Sequence, residues 1–127
     1  MTEHPNAATA RRSYEAWNIG GMDVLRDGFS EDVVFHFAGN NAMSGTYRGQ
    51  DAVMDVLVSQ PGFPHAEMET ILASDDHIIA FLNVTAERDG KTLDVVKAMP
   101  MKVNAEGKLT EIWFLANDQR AFDQFWS

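Results

Sequence analysis

The order of residue types predicts an α+β fold, with helices first, long antiparallel strands after, and the helices packed on one face of the sheet. Three observations carry this reading. Helix formers dominate from Pro5 to Ile19 and give way to β-branched and aromatic residues at Asp32-Val-Val-Phe-His-Phe. An Asp89-Gly90 pair, a strong short-range hairpin signal, stands between two long runs. Those runs reach roughly ten or more residues where five or six is usual, so the strands must curl. A curled sheet closed by a helix makes a cone with a mouth, suited to a small molecule.

The first helix is expected from Pro5 to about Ile19, with Asn6 as its cap and Gly20-Gly21 as its stop. Met22 to Gly28 reads as a short second helix with Met22, Leu25 and Phe29 on one side, and Asp32 to Phe37 as a strand. A loop carrying Gly39-Asn40-Asn41 and Ser44-Gly45 leads to a third helix, Gln50 to Val58, whose apolar face is Val53, Met54, Val56 and Leu57 and which Pro61-Gly62 ends. Strands follow at Ala66 to Ser74, Asp76 to Arg88, Thr92 to Val103 and Leu109 to Ala116. Asn117 or Asp118 then caps a short final helix carrying Phe122, Phe125 and Trp126.

At 127 residues this is one domain, without repeats or a linker. Acids outnumber bases 19 to 10, a formal charge of -9 that repels phosphate backbones and anionic lipid, and no basic patch offsets it. Nucleic-acid and membrane partners are therefore not expected. The absence of cysteine excludes disulfides, a thiol nucleophile and thiolate metal sites. With no basic-then-apolar N-terminal segment and no run near the roughly 20 residues that cross a bilayer, the chain is expected to be cytoplasmic. His4, His36, His65 and His77 lack metal-ligand spacing and no nucleotide loop is present, so neither metal nor cofactor is expected. A Gly-x-Ser-x-Gly nucleophile elbow is also missing.

The run from His36-Phe37-Ala38-Gly39 to Ser44-Gly45-Thr46-Tyr47-Arg48-Gly49-Gln50, with Trp113-Phe-Leu-Ala-Asn-Asp118 and the tail to Trp126, resembles the nuclear transport factor 2-like superfamily. More narrowly it resembles the SnoaL-like branch, named for a polyketide cyclase and related to ketosteroid isomerases. The resemblance spans roughly Ala8 to Trp126. It implies a cystatin-like α+β barrel, a cone-shaped antiparallel sheet with the N-terminal helices on its concave side. It also implies a homodimer formed through the outer sheet face, where Trp113 and Ile78 would lie exposed. For reaction it implies little, because one fold hosts many functions. The isomerase base falls on Phe37, its tyrosine on Ser13 and its protonated acid on Lys97, so that machinery is absent; Tyr14 would need a one-residue slip, about 100° around the helix, to replace the tyrosine. The cyclase branch places an aspartate a few residues after a tryptophan, which matches Asp118, and a histidine on the first strand, which matches His36.

Asp118 continues the face of Ile112, Phe114 and Ala116. In a concave apolar pocket its carboxylate becomes a general base; at the start of the last helix it is a cap bound by the amides of Arg120 or Ala121. His36 either meets a ligand oxygen or, opposite in parity to Phe37, faces away. Lys97 shares a face with Val95, Met99 and Met101. Inside the cone it would pair with an acid such as Asp118 or polarise a carbonyl; outside it would pair with Glu111 or Glu87. Tyr14, Trp17, Phe37, Tyr47, Asn83, Met99 and Phe114 are the candidate substrate contacts, several of them equally readable as core. Most acids fall in turns or on solvated faces, leaving Asp118 for a pocket and Asp94 behind it.

Two functions follow from these residues. One is a cofactor-independent enzyme on a hydrophobic, carbonyl-bearing small molecule, in which Asp118 takes a proton beside the carbonyl and Lys97 or His36 stabilises the enolate for aldol-type cyclisation or isomerisation. The other is a non-catalytic ligand-binding or assembly module. An epoxide hydrolase lacks its Asp-Arg-Asp constellation here.

Overall fold

A computed structural model describes residues 3–59 and 65–125. Helices α1 (Pro5–Ile19) and α2 (Met22–Asp27) precede strand β1 (Phe29–Phe37), the short β2 (Gly45–Arg48) and helix α3 (Gln50–Val58). Strands β3 (His65–Ala73), β4 (His77–Arg88), β5 (Lys91–Val103) and β6 (Leu109–Ala116) lead to α4 (Gln119–Phe125). The expected stop at Pro61-Gly62 and the place of Trp126 lie outside the described residues. Among those described, no helix is long and apolar enough to cross a membrane.

Pro5 starts α1, where a missing amide hydrogen costs nothing. The cap is His4 rather than Asn6: His4 Nδ1 accepts the Asn6 amide at 3.1 Å. The Asn6 side chain instead donates to the carbonyls of Ser74 (2.9 Å) and Asp75 (3.2 Å), tying the helix start to the β3–β4 turn. Gly20, at φ 76°, takes the left-handed turn that ends α1. Ala7, Ala10, Ser13, Ala16 and Trp17 form its buried face, and the first four are small enough to let the helix approach β3 and β4 closely. Val53, Met54, Val56 and Leu57 are buried on α3, as their spacing predicts.

The six strands run in the order β2-β1-β6-β5-β4-β3. β4 and β5 pair without a break from His77 opposite Lys102 to Arg88 opposite Lys91. Their turn has positive φ at both Asp89 (50°) and Gly90 (76°), the sense that matches strand twist. Register shifts between Phe29 and Val34, Met68 and Thr70, and Lys102 and Val103 bend the strands, so local bulges supply much of the curvature.

Two expectations are corrected. The sheet is mixed, because β1 lies parallel to β6, with Phe35 opposite Ile112 and Phe37 opposite Phe114. It is also open rather than a closed barrel, with β2 and β3 as its edges. β2 escaped the sequence because its four residues are mostly exposed and carry no hydrophobic alternation.

Side chains alternate strictly across β4 and β5. Ile78, Ala80, Leu82 and Val84 point inward with Val95, Lys97, Met99 and Met101. Burying one such aliphatic side chain contributes about 1.5–3 kcal/mol, so the apolar members of this layer contribute substantially to stability. Ile78 therefore belongs to the core, contrary to the expected outer position. The outer face instead presents Leu72, Ile79 and Leu115, while Trp113 is half-buried against the His36 ring with centroids 5.3 Å apart.

Candidate functional site

Between α1 and the concave sheet lies an apolar cavity of about 70 Å3. A single buried water needs roughly 10–15 Å3, so the space exceeds a packing defect. Strand parity decides what lines it. Leu82 and Val84 come from β4, Lys97, Met99 and Met101 from β5, and Ile112 and Phe114 from β6. Phe29 and Phe35 of β1 close one side, while Ala10, Ser13, Tyr14 and Trp17 come from α1.

Few polar groups interrupt this lining. Ser13 Oγ donates back to the Thr9 carbonyl at 3.3 Å, an internal helix bond that occupies its proton. Tyr14 is half-buried, but its hydroxyl reaches inward to Met99 Sδ at 3.0 Å. A thioether is a weak acceptor, so that phenol has an incompletely used donor. Burial pushes its pKa up, which keeps it protonated.

Lys97 is the unusual member. Only 7% of it is exposed, and its Nζ lies 3.9 Å from the Phe114 ring centre, 5.2 Å from Phe122 and 5.8 Å from Phe37. Among the described residues no carboxylate pairs with it and no oxygen accepts from it. The rings favour the ammonium form through their π faces, yet burial dominates and brings the Lys97 pKa down to about 7. A lysine in this state is both a base and a nucleophile near neutral pH.

The expected carboxylate is elsewhere. Asp118 is exposed, absent from the lining, and accepts the Ala121 amide at 3.0 Å, which makes it the cap of α4. It does not meet Lys97. Asp94 is exposed on β5, and among the described residues no Asp or Glu lines the cavity. His36 lies on the outer face, as its parity requires. Its Nε2 meets Glu111 Oε2 at 2.6 Å and its Nδ1 meets Thr46 Oγ1 at 3.1 Å. The His36 hydrogen bond holds the Glu111 carboxyl below its usual range, and Lys102, 3.6 Å away, adds to this.

Of the candidate substrate contacts, Tyr14, Trp17, Met99 and Phe114 line the cavity. Phe37 stands behind it against Phe114, with ring centres 4.3 Å apart. Tyr47 donates to the Met43 carbonyl at 2.8 Å and stacks edge-on against Phe37. Asn83 has the outward parity between Leu82 and Val84. Ser13 was missed as a lining residue: Ser13 and Tyr14 both border the cavity because the helix face toward the sheet is broad. The spacing Ala10, Tyr14, Trp17 carried that signal. Among the described residues no group of three His, Asp or Glu is placed to hold a metal ion.

Residues 10–112 match the SnoaL-like domain family. The chain is 30% identical to the uncharacterized protein Rv0034 of Mycobacterium tuberculosis over the full length of both. Among solved structures, Bal32a from a soil-derived mobile gene cassette superposes with a TM-score of 0.90 at 31% identity, covering 96% of each chain. Rv0760c of M. tuberculosis, solved with estradiol-17beta-hemisuccinate, superposes at 0.79 with 19% identity over 92% of this chain and 98% of its own. Other matching structures are described as having a cystatin-like fold or as NTF2-like. The helices on a curved open sheet and the family match agree, and the chain belongs to the SnoaL-like domain family.

Proposed function

We propose that this chain binds a hydrophobic, carbonyl-bearing small molecule in the cavity and moves a proton beside that carbonyl, with Lys97 rather than an aspartate as the proton acceptor. The observation that carries this is the Lys97 amine, buried in an apolar cavity without an acceptor and with its pKa lowered to about 7. A general base works best near the operating pH. The Tyr14 phenol, held protonated by burial, donates to the carbonyl oxygen where negative charge develops. The complex of Rv0760c with estradiol-17beta-hemisuccinate, a steroid ester, supports a ligand with a hydrophobic body and a carbonyl group.

Deuterium exchange tests the reading without knowledge of the natural substrate. Small aryl ketones in D2O are expected to gain deuterium beside the carbonyl, followed by NMR, in the native protein and in Asp118→Asn but not in Lys97→Met. Exchange that persists in Lys97→Met overturns the role of Lys97. The lack of a carboxylate in the lining favours a second reading, a module that holds its ligand without turning it over; binding without exchange in the native protein selects it.

We also propose that two copies associate through the outer face. Phe81, Ala98 and Leu115 lie in one cross-strand row beside the row of Leu72, Ile79 and Pro100, leaving adjacent apolar side chains in solvent. Sedimentation velocity is expected to give a dimer that Leu115→Lys weakens; a native monomer contradicts the proposal.

A further inference from the structure

We infer that Lys97 captures aldehydes and ketones covalently, as an imine inside the cavity. The inference rests on the cavity being the ligand site and gives the same amine a second, mutually exclusive outcome. On a given ligand it either takes the proton beside the carbonyl or adds to the carbonyl carbon, and addition is the outcome for compounds such as benzaldehyde that have no hydrogen beside the carbonyl. Three features point to it. The amine is more than nine-tenths buried and lines the cavity. No oxygen acceptor or carboxylate among the described residues engages it, so the lone pair is not committed elsewhere. Its contacts are aromatic rings, with Phe114 at 3.9 Å, and rings cannot replace the hydration of an ammonium ion. A carbonyl carbon is the partner that consumes such a group, since addition converts a poorly solvated amine into part of the ligand.

The step balances without an oxidant or reductant. The Nζ lone pair attacks the carbonyl carbon, the C=O π pair moves to oxygen, and a proton passes from the nitrogen to that oxygen to give a carbinolamine. The hydroxyl then leaves as water, taking up a proton from the Tyr14 phenol, as the C=N bond forms, and the nitrogen returns its remaining proton to the phenolate. Overall, amine and carbonyl yield imine and one water. Tyr14 is the proton donor for the departing oxygen. Its hydroxyl rests on Met99 Sδ, and Met99 lies two residues from Lys97 on the same strand face, roughly 7 Å along β5. A carbonyl group lying between the two side chains meets the amine at carbon and the phenol at oxygen. The apolar wall selects aromatic or aliphatic carbonyl compounds over sugars, whose hydroxyls would go unpaired.

The chain has four lysines, Lys91, Lys97, Lys102 and Lys108, which makes the test direct. The intact protein is incubated with benzaldehyde and sodium cyanoborohydride, and the modified peptides are quantified by mass spectrometry. At pH 7 an amine with pKa about 7 is half neutral, whereas an ordinary lysine near 10.4 is neutral in only about one molecule in 2,500. Even with slower entry to the cavity, Lys97 is expected to label at least about tenfold faster than the other three lysines. That preference should disappear in urea, and Tyr14→Phe should slow labelling at Lys97 without redirecting it. Labelling of Lys97 no faster than Lys102 in the folded protein overturns the inference. Benzyl alcohol, which lacks the carbonyl, separates the two levels of the argument, with 13C-methyl NMR of Met99 and Met101 as the readout. If it shifts these methyls while benzaldehyde leaves Lys97 unlabelled, the imine is refuted and the cavity reading stands. If neither compound acts on the cavity, both are refuted.

Discussion

Replacing Lys97 by methionine is expected to stabilise the protein at neutral pH, by an amount that shrinks as the pH rises. The unfolded chain holds the Lys97 proton up to about pH 10.5, the folded chain only up to about 7. Between these values the unfolded state binds more protons, so stability rises with pH; below 7 the full penalty is present. At 1.36 kcal/mol per pH unit, the gap corresponds to a penalty on the order of 4 kcal/mol at pH 7. The Phe114 face, 3.9 Å from the amine, favours the charged form, and the penalty is what remains after that attraction. Lys97→Met is therefore expected to gain up to about 4 kcal/mol at pH 7, since methionine fills similar volume with no charge to bury. Urea unfolding followed by circular dichroism, at intervals from pH 6 to 9.5, reads both variants. The upper limit matters because Tyr14, whose pKa is raised in the folded state, begins to cost stability as pH rises above its unfolded value near 10. A difference between the variants that is flat with pH, or a methionine variant less stable throughout, refutes the reasoning. A penalty of this size is a substantial part of the 5–15 kcal/mol that holds a typical domain together, which is why a functional reason for the lysine is compelling.

Three further outcomes follow from the surroundings of the cavity. Asp118→Ala should lose about 1 kcal/mol in urea unfolding through the lost cap on Ala121, while methyl shifts of Met99 and Met101 on ligand addition stay unchanged. Gly39→Ala should cost about 1–3 kcal/mol by the same measurement. Gly39 has φ 92°, and an added Cβ would collide with Gln119 and Asp123, whose side chains are bonded to each other and, through Asp123, to Asn41. In His36→Ala the Glu111 carboxyl should titrate at higher pH, read by 13C NMR, because the His36 hydrogen bond is the largest cause of its depression. Glu111 therefore contributes stability above its unfolded pKa that is lost as pH falls through the folded value, and His36→Ala should move that loss upward.

Much of this arrangement was legible beforehand, for identifiable reasons. The alternation through Val95, Lys97, Met99 and Met101 put the lysine on one face with three apolar residues, and the strand keeps that parity without a bulge until Lys102. Helix α3 followed from four apolar residues, and it spans Gln50 to Val58 as expected. Other features depended on tertiary placement. The parallel seating of β1 against β6 joins segments with no local signal of each other. Asp118 shows the limit of an analogy: its position after Trp113 matched a catalytic aspartate, but the amides at the start of α4 claim the carboxylate first. His36 was correctly opposed in parity to Phe37, and its partner Glu111 comes from a strand that spacing alone could not bring to it.

The parallel seam between β1 and β6 also constrains when the protein becomes competent. Phe35 and Ile112, paired across that seam, both face the cavity, although about three-fifths of the chain separates them. Closing so long a loop is entropically slow, and during synthesis the β6-facing edge of β1 must wait for nearly the whole chain before it is paired. The hairpin of β4 and β5, with its local turn, can form well before then. Ligand capture is thus a property of the finished chain, and stabilising the late seam is where a bound molecule would most slow unfolding.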